Sequence, residues 1–179
     1  MRLLAISGSL RRSSYNSALL DAVAAECGAE VDFVFWNRVD RIPAYNEDAD
    51  EEPDAVLLLK EELAQADAVL FATPEYNGSI PGALKNALDW ISRPFDDNPL
   101  RGKPVAVIGA SQGAFGAVWA QAELRKILRT IGASVEEHEL AVAHAQHAFA
   151  AGLLRDPQQR VALASIVETL LGRSRRRAA

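Results

Sequence analysis

Short apolar runs alternate with helix-spaced apolar positions along this chain. Arg2 to Ser7 reads as a first strand. Leu20, Val23, Ala24 and Cys27 follow at i, i+3, i+4, i+7 and predict a helix over 16–27, which Gly28 can close. Val31 to Phe35 predicts a second strand. An irregular, acidic connection containing Pro43 and Pro53 then leads to a helix over 54–65. Ala68 to Ala72 is continuously apolar, as expected of a strand covered on both faces of a parallel sheet. Leu84, Ala87, Leu88 and Ile91 mark a third helix, with Pro81 tolerated in its first turn, where no amide donor is needed. Pro104 to Ile108 is a fourth strand. Leu124, Ile127, Leu128 and Ile131 mark a fourth helix, closed by Gly132. Ser134 to Glu137 begins a fifth strand, with Leu140 as its furthest extent. Asp156-Pro157-Gln158-Gln159 combines an Asp cap, a first-position Pro and a third-position Gln, and starts a fifth helix running to about 172.

This alternation, with right-handed crossovers, predicts an α/β fold: a flavodoxin-like three-layer sandwich around a five-stranded parallel sheet of order 2-1-3-4-5. The 179 residues suit one domain, expected over 1–172, and no repeat is visible. Beyond it, Arg173-Ser174-Arg175-Arg176-Arg177 is expected to form a disordered, solvated basic tail over 173–179.

Composition narrows the function. A net charge of -5 argues against nucleic acid as a main partner. No apolar run approaches the ~20 residues of a membrane span, and the chain opens strand-like rather than with a signal pattern. Cys27 is the single cysteine, so no intrachain disulfide forms, and its place among Leu20, Val23 and Ala24 makes it buried filler. A cytoplasmic location is expected. His138, His144 and His147 form no convincing metal site.

Three loops carry the chemistry, and each follows a predicted strand. At the carboxyl edge of a doubly wound sheet, such loops meet where ligands bind. In the first, Gly8 permits a close turn, Ser9, Ser13, Ser14, Asn16 and Ser17 supply polar donors, Arg11 supplies a cation, and the following helix supplies free amides. That set suits a terminal monophosphate. A nucleoside triphosphate loop would carry Gly-Lys-Ser or Gly-Lys-Thr, which is absent. A polar turn with several caps is the alternative for this loop alone. The second loop, Thr73 to Pro81, offers Pro74 to fix direction and Asn77-Gly78 for an unusual backbone conformation, so that its backbone can face a flat ring. Glu75 is expected to be a loop carboxylate making hydrogen bonds rather than a catalytic acid. A β-branched residue at Gly78 is expected to block the site sterically. The third loop, with Ser111, Gln112, Gly113 and Gly116, is small enough for a ring to approach. Together the loops suggest bound flavin mononucleotide (FMN).

These residues resemble the NAD(P)H-dependent FMN reductases, which include chromate, quinone and azo-dye reductases. Gly8-Ser9-Leu10-Arg11 with Ser14, Tyr15 and Asn16 resembles that family's phosphate signature, and Pro74 to Trp90 matches its ring signature almost throughout. Pro43-Ala44-Tyr45-Asn46-Glu47-Asp48 resembles its second-strand loop. The resemblance implies phosphate contacts at Ser9, Arg11, Ser14, Asn16 and Ser17, with Tyr15 also among the cofactor-binding residues. It implies ring contacts at Pro74, Glu75, Tyr76, Asn77 and Gly78, with Ser111 and Gly113 at the ring's edge. It also implies FMN as cofactor, NADPH or NADH as donor, and a homodimer or homotetramer. Hydride would pass from the nicotinamide through flavin N5 to quinones or other small oxidants (chromate, azo compounds, free flavin) in ping-pong fashion, with no catalytic side chain required. A flavodoxin-type electron carrier without its own NAD(P)H oxidation is the alternative, and a flavin-free domain on the same fold a third reading. Two departures stand out: Ala117 and Trp119 where relatives often carry Gly and Arg, and Trp36-Asn37-Arg38 where an Asp-Leu pair is more usual.

Overall fold

The computed structural model of the protein describes residues 1–178. Its main sheet runs β2 (Asp32–Trp36), β1 (Arg2–Ser7), β3 (Ala68–Thr73), β4 (Pro104–Ala110) and β5 (Ser134–Val135), all parallel; β6 (Leu140–Val142) also pairs β4. The order is the expected 2-1-3-4-5 of the flavodoxin-like α/β sandwich.

Period-two alternation explains the two cores. Leu4, Ile6, Val69, Phe71, Val105 and Val107 point to one face. There they meet Val56, Leu59 and Leu63 of α2 (Asp54–Gln65), Leu84, Leu88 and Ile91 of α3 (Gly82–Ile91), and Leu124, Leu128 and Ile131 of α4 (Val118–Ile131). Leu3, Ala5, Leu70, Ala106 and Ile108 point to the other. They pack on Leu19, Leu20 and Val23 of α1 (Tyr15–Glu26) and Leu163, Ile166 and Leu170 of α5 (Pro157–Ala178). Because β3 and β4 are apolar on both sides they are buried throughout, as is β1 beyond the half-buried Arg2, and their carboxyl ends form the rim that carries the loops.

Three differences from the sequence expectation have physical causes. The fifth strand is two short pieces, because the polar run Glu136 to Glu139 cannot alternate into a core. Glu136 donates its amide to Val105 O at 2.7 Å, then its carboxylate takes the amides of Glu137 and His138, and the chain bulges. Past β6, a small hairpin, β7 (Phe149–Ala150) and β8 (Leu153–Leu154), turns at Ala151 and Gly152, both at positive φ. Strands of two residues are too short for a periodic signal. Helix α5 does not stop near 172 but continues to Ala178, whereas a disordered tail was expected there. Arg173 holds this extension by donating to Val135 O and to Glu136, both at 3.1 Å. Residue 179 of that tail lies outside the described residues. No described helix is long and apolar enough to cross a membrane.

Candidate functional site

The sheet order reverses between β1 and β3, and a cleft of about 350 Å³ opens at the neighbouring strand tips. Ser9, Arg11, Ser14, Tyr15 and Asn16 line one end; Pro74, Glu75, Tyr76, Ala110, Ser111, Gln112 and Gly113 line the rest. Residues expected from three separate loops therefore share one site.

The first loop is organised around free donors. Ser14 caps α1: its Oγ accepts from the amides of Asn16 (3.2 Å) and Ser17 (3.3 Å). Ser9 Oγ accepts from the Arg11 amide, and Ser7 Oγ accepts from the Ser9 amide and the Ser17 hydroxyl. The backbone amides of Leu10, Arg12, Ser13 and Ser14 find no acceptor among the described residues. The Arg11 guanidinium has no carboxylate partner among them either and lies 5.7 Å from the centre of the Tyr15 ring. Unpaired amides, a helix N-terminus and an uncommitted cation are what a dianionic phosphate requires.

Two expected phosphate ligands stand differently. The Asn16 side chain is buried and turned to the sheet: it accepts from Ala110 N and donates to Ala110 O, both at 2.9 Å. It clamps the end of β4 and keeps one amide hydrogen beyond that pair, at a position that still lines the cleft. The Ser17 hydroxyl is tied to Ser7 and lies outside the cleft lining.

The second loop is a two-residue hairpin. Tyr76 and Ser79 exchange backbone hydrogen bonds of 3.0 and 3.1 Å, with Asn77 at φ 54° and Gly78 at φ 74° between them. Asn-Gly is the preferred filling of such a turn. Asn77 and Gly78 form its tip and do not line the cleft. A Cβ on Gly78 would meet nothing within 4 Å, so the demand for glycine is conformational, not the crowding expected from sequence. Glu75 has a clear task. Its Oε2 accepts the amides of Trp119 (3.0 Å) and Ala120 (3.1 Å), the open N-terminal donors of α4, whose cap residue Ala117 has no side chain able to serve.

The third loop is braced from behind. Ser111 donates to Val142 O, Ala145 donates to Ser111 O, and His144 donates its amide to Gly113 O, at 3.0 to 3.1 Å. Gly116, at φ 59°, lies so close to the β6 backbone that a Cβ would come within 2.5 Å of Ala141 C. Gln112 reaches across the cleft to the Tyr15 hydroxyl at 3.2 Å. Sequence reasoning named neither Gln112 nor Ala110 as a ligand residue; the signal available was their place directly at the end of an apolar strand. No group of three His, Cys, Asp or Glu among the described residues fits a metal ion. Burial, then the nearby Glu30 carboxylate, pushes the Cys27 thiol up, which makes it a poor nucleophile.

The motif residues after the hairpin serve structure. Asn86 accepts the Tyr45 amide at 2.7 Å and donates to Pro43 O at 2.8 Å, and Trp90 Nε1 donates to the same carbonyl. They fasten the β2–α2 connection to α3.

Comparison with known proteins decides the family. Residues 1–147 match the family model described as NADPH-dependent FMN reductase. The chain belongs to the NADPH-dependent FMN reductase family. It is an oxidoreductase that works with FMN and NAD(P)H, and the cleft's donor set fits that cofactor. An NAD(P)H-dependent FMN reductase of Pseudomonas aeruginosa is 44% identical over 164 residues, covering 89% of this chain and 88% of that protein. A quinone reductase of Escherichia coli K12 is 38% identical over 138 residues, covering 75% and 73%. Among solved structures, the flavoenzyme NAD(P)H:(acceptor) oxidoreductase FerB of Paracoccus denitrificans superposes with a TM-score of 0.85 at 36% identity, covering 98% of this chain and 97% of that one.

Proposed function

We propose that this reductase takes hydride from NAD(P)H and delivers it to quinones, with chromate, azo compounds and free flavin as further acceptors, in a ping-pong cycle at one cleft. FMN supplies the two-electron centre at N5; the protein supplies binding and electrostatics. Arg11, the Ser9 and Ser14 hydroxyls and the open amides from Leu10 to Ser14 hold the phosphate. Tyr15 stiffens that end by carrying Arg11 on its ring. Pro74, Glu75 and Tyr76, held in place by the Asn77-Gly78 turn behind them, face the ring from one side, and Ser111 and Gly113 from the other. Glu75, engaged with α4, keeps the second and third loops at fixed spacing and does not exchange protons with substrate.

The observation that carries this reading is the make-up of the cleft, with unpaired amides and a free guanidinium at one end and, at the other, the uncharged Ser111–Gly113 loop anchored to β6 and the turn after it. An anaerobic spectrum of the purified holoprotein tests it. NADPH or NADH is expected to bleach the flavin bands, and a quinone to restore them without residual donor. Bleaching by dithionite alone would leave an FMN-binding electron carrier instead.

The cleft's outer wall carries exposed Tyr76, Phe115 and Trp119, with the latter two rings 4.8 Å apart. This patch supports a homodimer or homotetramer that buries it. Trp119→Glu is expected to shift the species seen by light scattering toward monomer. Nicotinamide dependence and a single unpaired thiol support a cytoplasmic enzyme, and residues 1–172 are proposed as its functional domain.

A further inference from the structure

A second cationic feature lies one strand away from the flavin cleft. Edge strand β2 pairs with β1 through Ile6 and Trp36, so the chain leaving β2 at Asn37 stands beside the phosphate loop leaving β1 at Gly8. Neighbouring strands lie about 4.8 Å apart. There Asn37, Arg38, Asp40 and Arg41 line an open recess of about 520 Å³. A single 3-10 turn, Val39–Arg41, shapes it. Val39 and Ile42 are buried in the core over α2 and α3, which leaves Arg38 and Arg41 exposed.

The charges of this recess are uncommitted. Arg41 is 3.5 Å from Asp40, in a pair open to water, and such pairs contribute little. Arg38 has no ion-pair partner among the described residues. Glu62, the acid of α2 nearest this strand edge, is already held by Arg2 at 2.6 Å. In a chain of net charge -5, two available guanidiniums at the ligand-binding edge are a feature to explain. Guanidinium pairs suit phosphate monoesters, whose oxygens they meet two at a time. In doubly wound dinucleotide folds, an Arg near a ribose accommodates a 2′-phosphate.

We propose that Arg38 and Arg41 bind the 2′-phosphate of NADPH and make the enzyme favour NADPH over NADH. The inference rests on the reading that NAD(P)H reduces the flavin in the cleft. The strand tips stand in the order β4, β3, β1, β2, so the ring end of the cleft, the flavin-phosphate loop and the recess lie in one line. A nicotinamide at the ring end leaves its adenosine half free to run along that line. NADPH and NADH differ only in the 2′-phosphate, and the recess offers it a pair of guanidiniums beside the flavin-phosphate loop, which itself adds the exposed Arg12.

The test compares wild-type holoprotein with Arg38→Gln/Arg41→Gln and with Arg38→Lys/Arg41→Lys. Calorimetric titration uses 2′,5′-ADP, 5′-AMP and inorganic phosphate. Wild type is expected to bind 2′,5′-ADP at least tenfold more tightly than 5′-AMP, and the Gln pair to erase that difference while the Lys pair keeps part of it. In parallel, the Gln pair is expected to lower the ratio of kcat/KM for NADPH over NADH at least tenfold. Equal affinity of the wild type for the two nucleotides, or an unaltered donor ratio, overturns the assignment. So does inorganic phosphate competing as well as 2′,5′-ADP, which marks a general anion site. If neither donor bleaches the flavin, the reductase reading fails on its own, and the nucleotide titration still decides the recess.

Discussion

The first loop and the third loop border the same cleft but differ in charge and in how they are anchored. From Leu10 to Ser14 the protein leaves amides unpaired and a guanidinium uncommitted. From Ala110 to Ala120 the chain is anchored to distant segments, Ala110 by Asn16, Ser111 by Val142 and Ala145, the Gly113 carbonyl by His144 and the first α4 amides by Glu75, while the amides of Gln112 to Ala117 find no acceptor among the described residues. Both loops keep open amides; the first adds an uncommitted cation, and the third is held at its flanks and carbonyls by distant segments. A highly charged phosphate is best met by donors that wait for it. A flat ring is best met by a wall that does not move.

The sharpest way to break this contrast is Asn16→Ala. Sequence placed Asn16 with the phosphate, whereas the structure makes it the clamp on Ala110. Removing it leaves a buried amide and a buried carbonyl unpaired, at roughly 1–3 kcal/mol each. Urea denaturation of the apoprotein is expected to show a loss of about 2–6 kcal/mol. A variant of wild-type stability that merely binds FMN less well would return Asn16 to the ligand side.

Arg11→Ala probes the waiting side. Its guanidinium has no carboxylate to lose, so the stability of the apoprotein is expected to hold. FMN binding should weaken by about 1.5–3 kcal/mol, the range for hydrogen bonds to charged groups. Fluorescence titration of apoprotein with FMN measures it. Equal affinity would contradict the phosphate assignment.

Glu75→Gln probes the rigid side more gently. The amide still offers one acceptor to Trp119 N or Ala120 N, but the charge at the α4 N-terminus is gone. A loss of roughly 1 kcal/mol is expected in thermal denaturation, from the weakened cap and the lost interaction with the helix dipole. A pH-rate profile unchanged in shape accompanies it if Glu75 is not an acid in the reaction.

The same division explains what was legible in the chain. The parallel sheet and its order followed from apolar runs such as Ala68 to Ala72, where burial on both faces leaves a contiguous signal. The phosphate loop was legible because its donors lie within a few residues of each other. The clamps were not. Asn16 meets Ala110 across 94 positions, Glu75 meets Trp119 across 44, and Asn86 meets Tyr45 across 41. A polar residue at a strand end looks alike whether its partner is a ligand or a distant backbone. For the same reason the clamp made by Asn16, which also lines the cleft, and the bond from Ser17 to Ser7 were not foreseen, and Gln112 was passed over. The α5 extension was hidden in a run of arginines whose one decisive contact, Arg173 with Glu136, also spans distant segments.

That contact gives the smallest effect and a pH test. Burial alone would raise the Glu136 carboxyl, but the His138 side chain and amide, then Arg173 and the Glu137 amide, outweigh it and hold it below its ordinary value of 4.5. A carboxylate with a depressed folded value stabilises the fold above its unfolded value. That contribution disappears as pH falls through the folded value. Glu136→Gln is therefore expected to cost on the order of 1 kcal/mol at neutral pH. The gap from wild type should close on acidification below 4.5, because the protonated glutamic acid then resembles the amide. Urea melts at neutral pH and at successively lower pH measure it. A gap that stayed constant with pH would mean that Glu136 shapes the β5–β6 bulge by geometry alone, without its charge fastening α5.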